Sequence, residues 1–596
     1  RARAPAMGGN GSQGPDADLP FWWWALFWSG WATCLGVMAV LSTATLAALA
    51  IRTLKACSGR PVVAFFHPNS NGGGGGERVL WLAVKAVDDD LRRRRSPARV
   101  VIYSGDSDVG QDALLAKAKS RFGIDLSGSS VEMVFFSTRW LLDPGLYPAL
   151  TMLGQSLGGM LCTAECVVRC PPTVFVDTMG APFGYPVAAL LSGATVACYT
   201  HYPVITPEMT RVVAEGRAAH NNRHAAASPV RTWLKLAYYR VFAAAYARCG
   251  AFCDVVMANS SWTAGHLSEL WGGAIRRSDD SGAEGGAAAG AARLPLTGLA
   301  SAWDALFGTD DLASADIQVV FPPCNSEAMA MLPLRPARRA LPAKAQRLPW
   351  VVSVGQFRPE KDHSLQLRAF AEAARGLACK PWAGEMRLVL VGGARNAQDQ
   401  RRVDALKAEA KALGIADRVQ WRINAPFEGP GSLCEALELG AAGLHCMWNE
   451  HFGIAVVESQ AAGCVPVAHD SGGPRLDIVV PTADGRRTGC RARSPAGFGQ
   501  ALAAVLCASQ EGTAAYLPLE EDGAEGPSPL LRPGATEPGS GSIPRPEELD
   551  FCAMQVGGRA AAMRFADVKF ERDFLRALRS VTSQLVPPYS ARPKAD

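Results

Sequence analysis

Asn449 to Val467 reads NEHFGIAVVESQAAGCVPV. An apolar strand candidate, Gly443–Met447, precedes it, and a second, Val465–Ala468, closes it. Phe452-Gly453 has the character of a turn, and IAVVESQAAG that of a short buried helix. Strand, turn, helix and strand within about 25 residues make one βαβ unit, and such units build parallel sheets. Glu450 stands where the first strand ends, and Glu458 lies eight residues on, about a turn and a half into the helix. Both face one cleft in this reading. A carboxylate so placed accepts from both hydroxyls of a ribose, as in dinucleotide folds. A helix-capping or dipole role is the alternative for either acid.

The same alternation extends in both directions. Upstream in the second half run Trp350–Val354, Arg387–Val391 and Val419–Ile423. The first half offers Pro61–Phe66, Ala98–Ser104, Val131–Phe136, Thr173–Asp177, Ala194–Tyr199, Val255–Ala258 and Ile317–Phe321. A Pro- and Arg-rich stretch, Leu332 to Arg347, separates the two sets as a linker. The fold class predicted is α/β, two Rossmann-like domains facing across a cleft. Their bounds are 60–335 and 345–508, with surface insertions at 278–293 and 509–548 and a helical tail over 549–596.

Ahead of them, residues 1–20 form a polar tail and residues 21–51 a transmembrane anchor. No residue from Leu19 to Ile51 is charged, which exceeds the roughly 20 apolar residues a bilayer requires. Trp22, Trp23, Trp24 and Trp28 crowd one end, while Arg52, Lys55 and Arg60 meet the other. That asymmetry favours a cytoplasmic position for the chain that follows. Ala48-Leu49-Ala50 resembles a signal-peptidase site, but the apolar run is long for a signal peptide. Leu146 to Met160, LYPALTMLGQSLGGM, is apolar enough to lie on a bilayer.

Composition removes other classes. Of 596 residues 48% are apolar and 19% charged, so the chain is no disordered polymer. Net charge is +5, which gives no reason to propose nucleic acid. The 16 cysteines form no C-x2-C pair, so no zinc ribbon is indicated. Cys162, Cys166 and Cys170 make a helical stripe. Asp106-Ser107-Asp108 has the look of a metal-binding pair without a further ligand.

Four further motifs stand at strand ends. Asn71 to Arg78, NGGGGGER, follows PVVAFFHP, and its glycines let a ligand approach backbone N–H groups beside a helix start. It lacks the lysine of a P-loop and the Rossmann glycine spacing, and a flexible turn is the alternative. GQFRPEKDH, Gly355 to His363, sets Arg358 and Lys361 before a helix, an arrangement suited to a diphosphate. HDSGGP, His469 to Pro474, offers Gly472 and Gly473. CYTHYP, Cys198 to Pro203, puts His201 at a strand end, although a lone histidine equally suits a hydrogen-bonded core position.

Together GGGGGER, GQFRPEK, E-x7-E and HDSGGP resemble the retaining glycosyltransferases of the GT-B fold, in the glycogen-synthase-like family. Longer stretches narrow the resemblance: FFHPNSNGGGGGERVLW, VDTMGAPFGYPVAALLSGATVACYTHYPVI, VVFPPCN and CMWNEHFGIAVVESQAAGCVPVAHDSGGP look like a family of GDP-mannose-dependent α-1,2-mannosyltransferases. Its members extend a dolichol-pyrophosphate-linked trimannosyl oligosaccharide by two mannoses on the cytosolic face of the endoplasmic reticulum. The chain departs from many relatives at Gln356, where an arginine is common, with Arg358 as its replacement.

The resemblance implies a set of roles. Glu458 accepts from the ribose, and Glu450 lies against the mannose hydroxyls. Arg358, Lys361 and the helix start after Phe452-Gly453 stabilise the diphosphate. Gly472 and Gly473 touch sugar or phosphate through backbone N–H groups. Gly74, Gly75 and Gly76 close from the first domain, and His201 contacts the mannose. It implies no metal and no cofactor besides the substrate GDP-mannose. It also implies an endoplasmic reticulum membrane location and association with other mannosyltransferases of the pathway.

Overall fold

The computed structural model describes residues 42–206, 229–275, 316–335, 346–511 and 549–585, with Met209 and Val213 between the first two. The first domain holds seven parallel strands: β1 (Val62–Phe66), β2 (Arg99–Ser104), β3 (Glu132–Phe135), β4 (Val174–Asp177), β5 (Thr195–Thr200), β6 (Val255–Ala258) and β7 (Ile317–Val319). Their spatial order is β3-β2-β1-β4-β5-β6-β7. Six more parallel strands form the second: β8 (Leu348–Val354), β9 (Arg387–Gly392), β10 (Val419–Ile423), β11 (Gly440–His445), β12 (Val465–His469) and β13 (Cys490–Ala492), in the order β10-β9-β8-β11-β12-β13. β13, three residues long, is absent from the strands expected above.

Both orders reverse at one point, between β1 and β4 and between β8 and β11. Connections leave a sheet in opposite directions there, so a crevice opens at the carboxyl ends of the strands. The loops after β1 and β8 are the glycine and GQFRPEK motifs. β1 is buried on both faces along its length, as continuous VVAFF requires.

Helices cover each sheet. On one side of the first sheet lie α1 (Gly75–Arg93) and α2 (Gln111–Phe122). The other side carries α3 (Thr151–Arg169), α4 (Tyr185–Ser192), α5 (Pro229–Gly250) and α6 (Ser261–Ile275). After β7 comes α7 (Ser326–Ala330). The second domain has α8 (His363–Gly376), α9 (Ala397–Ala412), α10 (Leu433–Leu439), α11 (Ile454–Ala461) and α12 (Pro495–Glu511). Cys162 and Cys166 are buried in α3 as a plain apolar stripe.

The tail folds as two helices, α13 (Phe551–Ala562) and α14 (Asp567–Thr582). Phe551 and Met554 join the core of the second domain. Phe570, Phe574 and Leu578 join that of the first, where Phe574 stacks on Phe65 at 6.5 Å. The chain therefore crosses back, and Asp567 meets Arg78 of α1 at 2.7 Å at the crossing. Cys324 and Met329, from the end of the first region, pack with α11 residues of the second.

Among the described residues no helix is long and apolar enough to cross a membrane. Residues 21–41 of the expected anchor lie outside the described residues, as do both insertions apart from 509–511. Residues 42–58 form a helix whose Ile51 is buried in the first domain, with Arg52 donating to the Leu190 carbonyl at 2.8 Å.

Candidate active site in the cleft between the sheets

The two switch points face one cleft of about 880 Å³. Gly74, Gly75, Gly76 and His201 line it from the first domain. Lys361, Glu450, Phe452, Gly453 and Glu458 line it from the second.

β11 ends at His445 rather than Met447. It begins at Gly440, directly on the end of α10, so the strand is shifted toward the amino terminus and Glu450 sits inside the following loop. Asn449 holds a φ of 50° there. The Glu450 carboxylate takes the Lys361 ammonium and, at 2.9 Å, His445 Nε2. Burial alone would raise its pKa. The His445 hydrogen bond and the Lys361 charge outweigh burial and hold the group well below the usual carboxylate range.

Glu458 lies on the cleft side of α11, 9% exposed. Burial raises its pKa, opposed by the Arg78 charge and by Asn325, whose Nδ2 donates to Oε1 at 3.2 Å. Gly453, at φ 114°, turns the chain into α11 and leaves Ile454 and Ala455 at the cleft edge. Only glycine takes that conformation without strain.

The glycine loop reaches across. A Cβ on Gly75 would lie 2.6 Å from Ile454 Cδ1, so the loop sits against the start of α11. Glu77 accepts from the Gly74 N–H at 2.8 Å and caps α1. Asp106 fastens the loop's near end: it accepts from Asn71 N at 2.7 Å and pairs with Arg139. Asp106 of the acidic pair noted in the sequence is thus part of a brace.

His201 turns its ring toward the loop. A Cβ on Gly76 would be 3.7 Å from Nε2, a buried atom without a hydrogen-bond partner. Burial lowers its pKa to about 4, against a raising backbone contact with Thr178, and nearby His451 lowers it further. The imidazole is neutral near neutral pH. His451 stacks on Tyr202 at 4.1 Å, joining the two domains beside the cleft.

Three expected residues stand apart. Arg358 is not among the cleft-lining residues; its guanidinium is 3.8 Å from Glu360. The short turn Pro359–Lys361 carries Lys361 inward and leaves Arg358 outside, and Gln356 lines the wall instead. Gly472 and Gly473 also lie outside the lining. The Gly473 N–H is given to the Glu450 carbonyl at 2.8 Å, and a Cβ on Gly472 would strike that same carbonyl. Ser471 Oγ accepts from Asn449 N at 2.7 Å. HDSGGP therefore braces the Glu450 loop from behind, where an N–H contact to sugar or phosphate was expected.

The sequence reading missed Arg78, Asn325 and Asn424, which also line the cleft. Arg78 stood next to the glycines, and Asn325 in VVFPPCN, but neither shows its place without the fold. Among the described residues no three His, Cys, Asp or Glu side chains are grouped to hold a metal ion.

Comparison with known proteins agrees with this architecture. Residues 60–271 match the model of the ALG11 mannosyltransferase N-terminus, and residues 335–498 that of glycosyl transferases group 1. A curated Xenopus laevis protein, GDP-Man:Man(3)GlcNAc(2)-PP-Dol alpha-1,2-mannosyltransferase, is 38% identical over 453 residues, covering 76% of this chain and 81% of its own. The Homo sapiens protein of that name is 36% identical over 462 residues, 77% of this chain and 82% of its own. Among solved structures, a UDP-forming α,α-trehalose-phosphate synthase from Burkholderia xenovorans superposes with a TM-score of 0.52 at 12% identity, covering 88% of this chain and 99% of that one. A Burkholderia multivorans α,α-trehalose 6-phosphate synthase gives 0.51 at 12% identity, covering 88% and 99%. These likenesses carry the two-domain GT-B glycosyltransferase fold. The chain is a member of the GDP-Man:Man(3)GlcNAc(2)-PP-Dol alpha-1,2-mannosyltransferase family.

Proposed function

We propose that the chain transfers mannose from GDP-mannose, in α-1,2 linkage, onto a dolichol-pyrophosphate-linked trimannosyl oligosaccharide. It adds the fourth and fifth mannoses on the cytosolic face of the endoplasmic reticulum, held there by a single-pass anchor that starts at residue 21 and ends before Ile51, which packs into the first domain. The observation that carries the reading is the Lys361–Glu450–His445 cluster at the switch point, facing the glycine loop, in a member of this family.

GDP-mannose occupies the second-domain wall. Glu458 accepts from the ribose hydroxyls. Glu450, kept ionised, accepts from mannose hydroxyls and holds Lys361 toward the diphosphate. The charge that grows on leaving GDP meets Lys361 and the N–H groups at the start of α11. The unpaired His201 Nε2 contacts the mannose near its reacting carbon. Gly74–Gly76 cover the diphosphate from the first domain, which also receives the acceptor. Configuration is retained through front-face attack, the acceptor hydroxyl passing its proton to a leaving phosphate oxygen as the glycosidic bond to GDP breaks. A trapped mannosyl-enzyme adduct would overturn that step.

The test offers a short-chain lipid-linked trimannosyl acceptor with GDP-mannose or with UDP-sugars. Two hexoses from GDP-mannose alone, released by an α-1,2-specific mannosidase, are expected, with Glu458→Ala abolishing transfer. Transfer from a UDP-sugar alone would overturn the donor assignment. No transfer by folded protein would favour a membrane-anchored scaffold.

A further inference from the structure

Two carboxylates lie within reach of one guanidinium in the cleft wall. Arg78 stands in the first turn of α1, just after the glycine loop, and its side chain is 8% exposed. Its Nη2 donates to both oxygens of Asp567, at 2.9 and 2.7 Å. Its Nη1 donates to the Phe122 carbonyl at 3.2 Å, and its buried Nε has no hydrogen-bond partner. Glu458 is the second carboxylate, and it lines the same cleft as Arg78. Burial raises its pKa, and the Arg78 charge is foremost among the causes that oppose burial there. Cys324 lies among all three groups. Burial and the charges of Glu458 and Asp567 push its thiol well above the ordinary value, and the Arg78 charge opposes them. Arg78 thus acts on both acids but gives its hydrogen bonds to Asp567.

The crossover of the tail fixes Asp567. Phe565, 1% exposed, packs edge-on against Phe452 at 5.2 Å and Phe321 at 5.0 Å, and its carbonyl accepts from Cys324 N at 3.0 Å. Two residues on, Asp567 opens α14, where a helix start favours a carboxylate. A guanidinium bound through two oxygens of a carboxylate is strongly held. The consequence for Glu458 is one of capacity. An ionised carboxylate has about four acceptor positions. Asn325 Nδ2 takes one of them. A bidentate arginine would take two more, leaving one for a ribose that offers two hydroxyls. Glu458 can serve both hydroxyls when the guanidinium is engaged elsewhere.

We propose that Asp567, in the tail, is a positioning residue for the donor: by holding Arg78 it keeps Glu458 open to the ribose hydroxyls of the nucleotide. The proposal deepens the ribose role given to Glu458 above and rests on it. Without the Asp567 charge, the guanidinium turns to Glu458 and fills the positions that the hydroxyls need.

The experiment measures, by calorimetry on the full chain in detergent, the binding of GDP and of 2′,3′-dideoxy-GDP. The unaltered chain is expected to prefer GDP by about tenfold, the worth of hydroxyl bonds to a charged acceptor. Asp567→Asn keeps the shape and removes the charge. It should bind GDP as weakly as the dideoxy analogue, whose own affinity stays unchanged. Asp567→Glu should keep the preference. Arg78→Gln removes the competing cation and should also keep it, alone or combined with Asp567→Asn. A preference of unchanged size in Asp567→Asn, even with both affinities lowered together, would overturn the proposal, since that is the mark of a purely structural pair. Loss of the preference in Arg78→Gln alone would overturn it as well, because Arg78 would then be needed at the ribose. If the unaltered chain binds GDP no better than the dideoxy analogue, the ribose role of Glu458 itself fails, and the proposal with it. None of these readouts depends on sugar transfer.

Discussion

One oxygen of Glu450, Oε2, receives both Lys361 from the loop after β8 and His445 from the end of β11. Lys361 and Glu450 are 89 residues apart in the chain. Their meeting joins the two loops that flank the switch point of the second sheet. Lys361→Ala removes a preorganised cation and leaves a buried carboxylate with one partner fewer. Loss of such a group costs on the order of 10²–10³ in turnover. Steady-state kinetics with GDP-mannose, taken at a temperature where the variant is folded, should show that drop, together with a lower melting temperature, because the buried Glu450 carboxylate loses a charge partner. A drop under about threefold would remove Lys361 from the reaction centre.

Gly75 and Ile454 test whether the glycine loop works against α11. Gly75→Ala places a methyl 2.6 Å from Ile454 Cδ1, the end of a flexible side chain. The expected cost is about 1 kcal/mol, a roughly fivefold loss of kcat/KM. Ile454→Ala in the same chain should restore much of it. Equal losses in the single and double variants would mean that the two residues do not meet during turnover.

Gly472 has a φ of 58°, and its Cβ position is occupied by the Glu450 carbonyl. Gly472→Ala must therefore displace the Glu450 loop. A loss of about 1–3 kcal/mol is expected in chemical denaturation, together with loss of transfer. If HDSGGP instead supplied N–H groups to the substrate, donor binding would fall while stability stayed unchanged.

Acid should unfold this protein through its histidines. Burial holds His201, His266, His363 and His469 near pKa 4 and His67 near 3, against the ordinary 6.5. Between about 6.5 and 4 the unfolded chain binds more protons than the folded one, so stability rises with pH in that window and is lost as pH falls through it. Melting temperature followed from pH 7 to pH 4 should decline, and His266→Phe should make the decline shallower. An unchanged slope would mean that the His266 ring already carries a proton in the fold.

In the proposed reaction Lys361 and the start of α11 take the charge of the diphosphate. Transfer should then proceed in EDTA at the rate seen without it. Loss restored only by added Mg²⁺ or Mn²⁺ would overturn that division of labour.

The strand positions were legible because a parallel sheet buried on both faces demands continuous apolar runs, and VVAFF or LVLV read as little else. The glycine loop, Lys361 and the Glu450–Glu458 pair were legible because they stand at strand ends, where α/β folds gather ligands. The register of β11 was not: GAAGLHCM is apolar apart from His445, and only pairing, with β8 from Gly440 and with β12 as far as His445, sets the strand's ends.

The amino-acid sequence alone determined the two α/β units, the family motifs and the order in which the loops arise, since periodicity and turn chemistry act over a few residues. Tertiary structure decided which groups meet. It turned Arg358 outward and Lys361 inward, assigned the Gly473 N–H to Glu450, and brought Arg78 and Asn325 to Glu458. It also carried the last helix back to the first domain. These outcomes depend on contacts between residues as far as 489 positions apart, as for Arg78 and Asp567, and no local pattern encodes such distances.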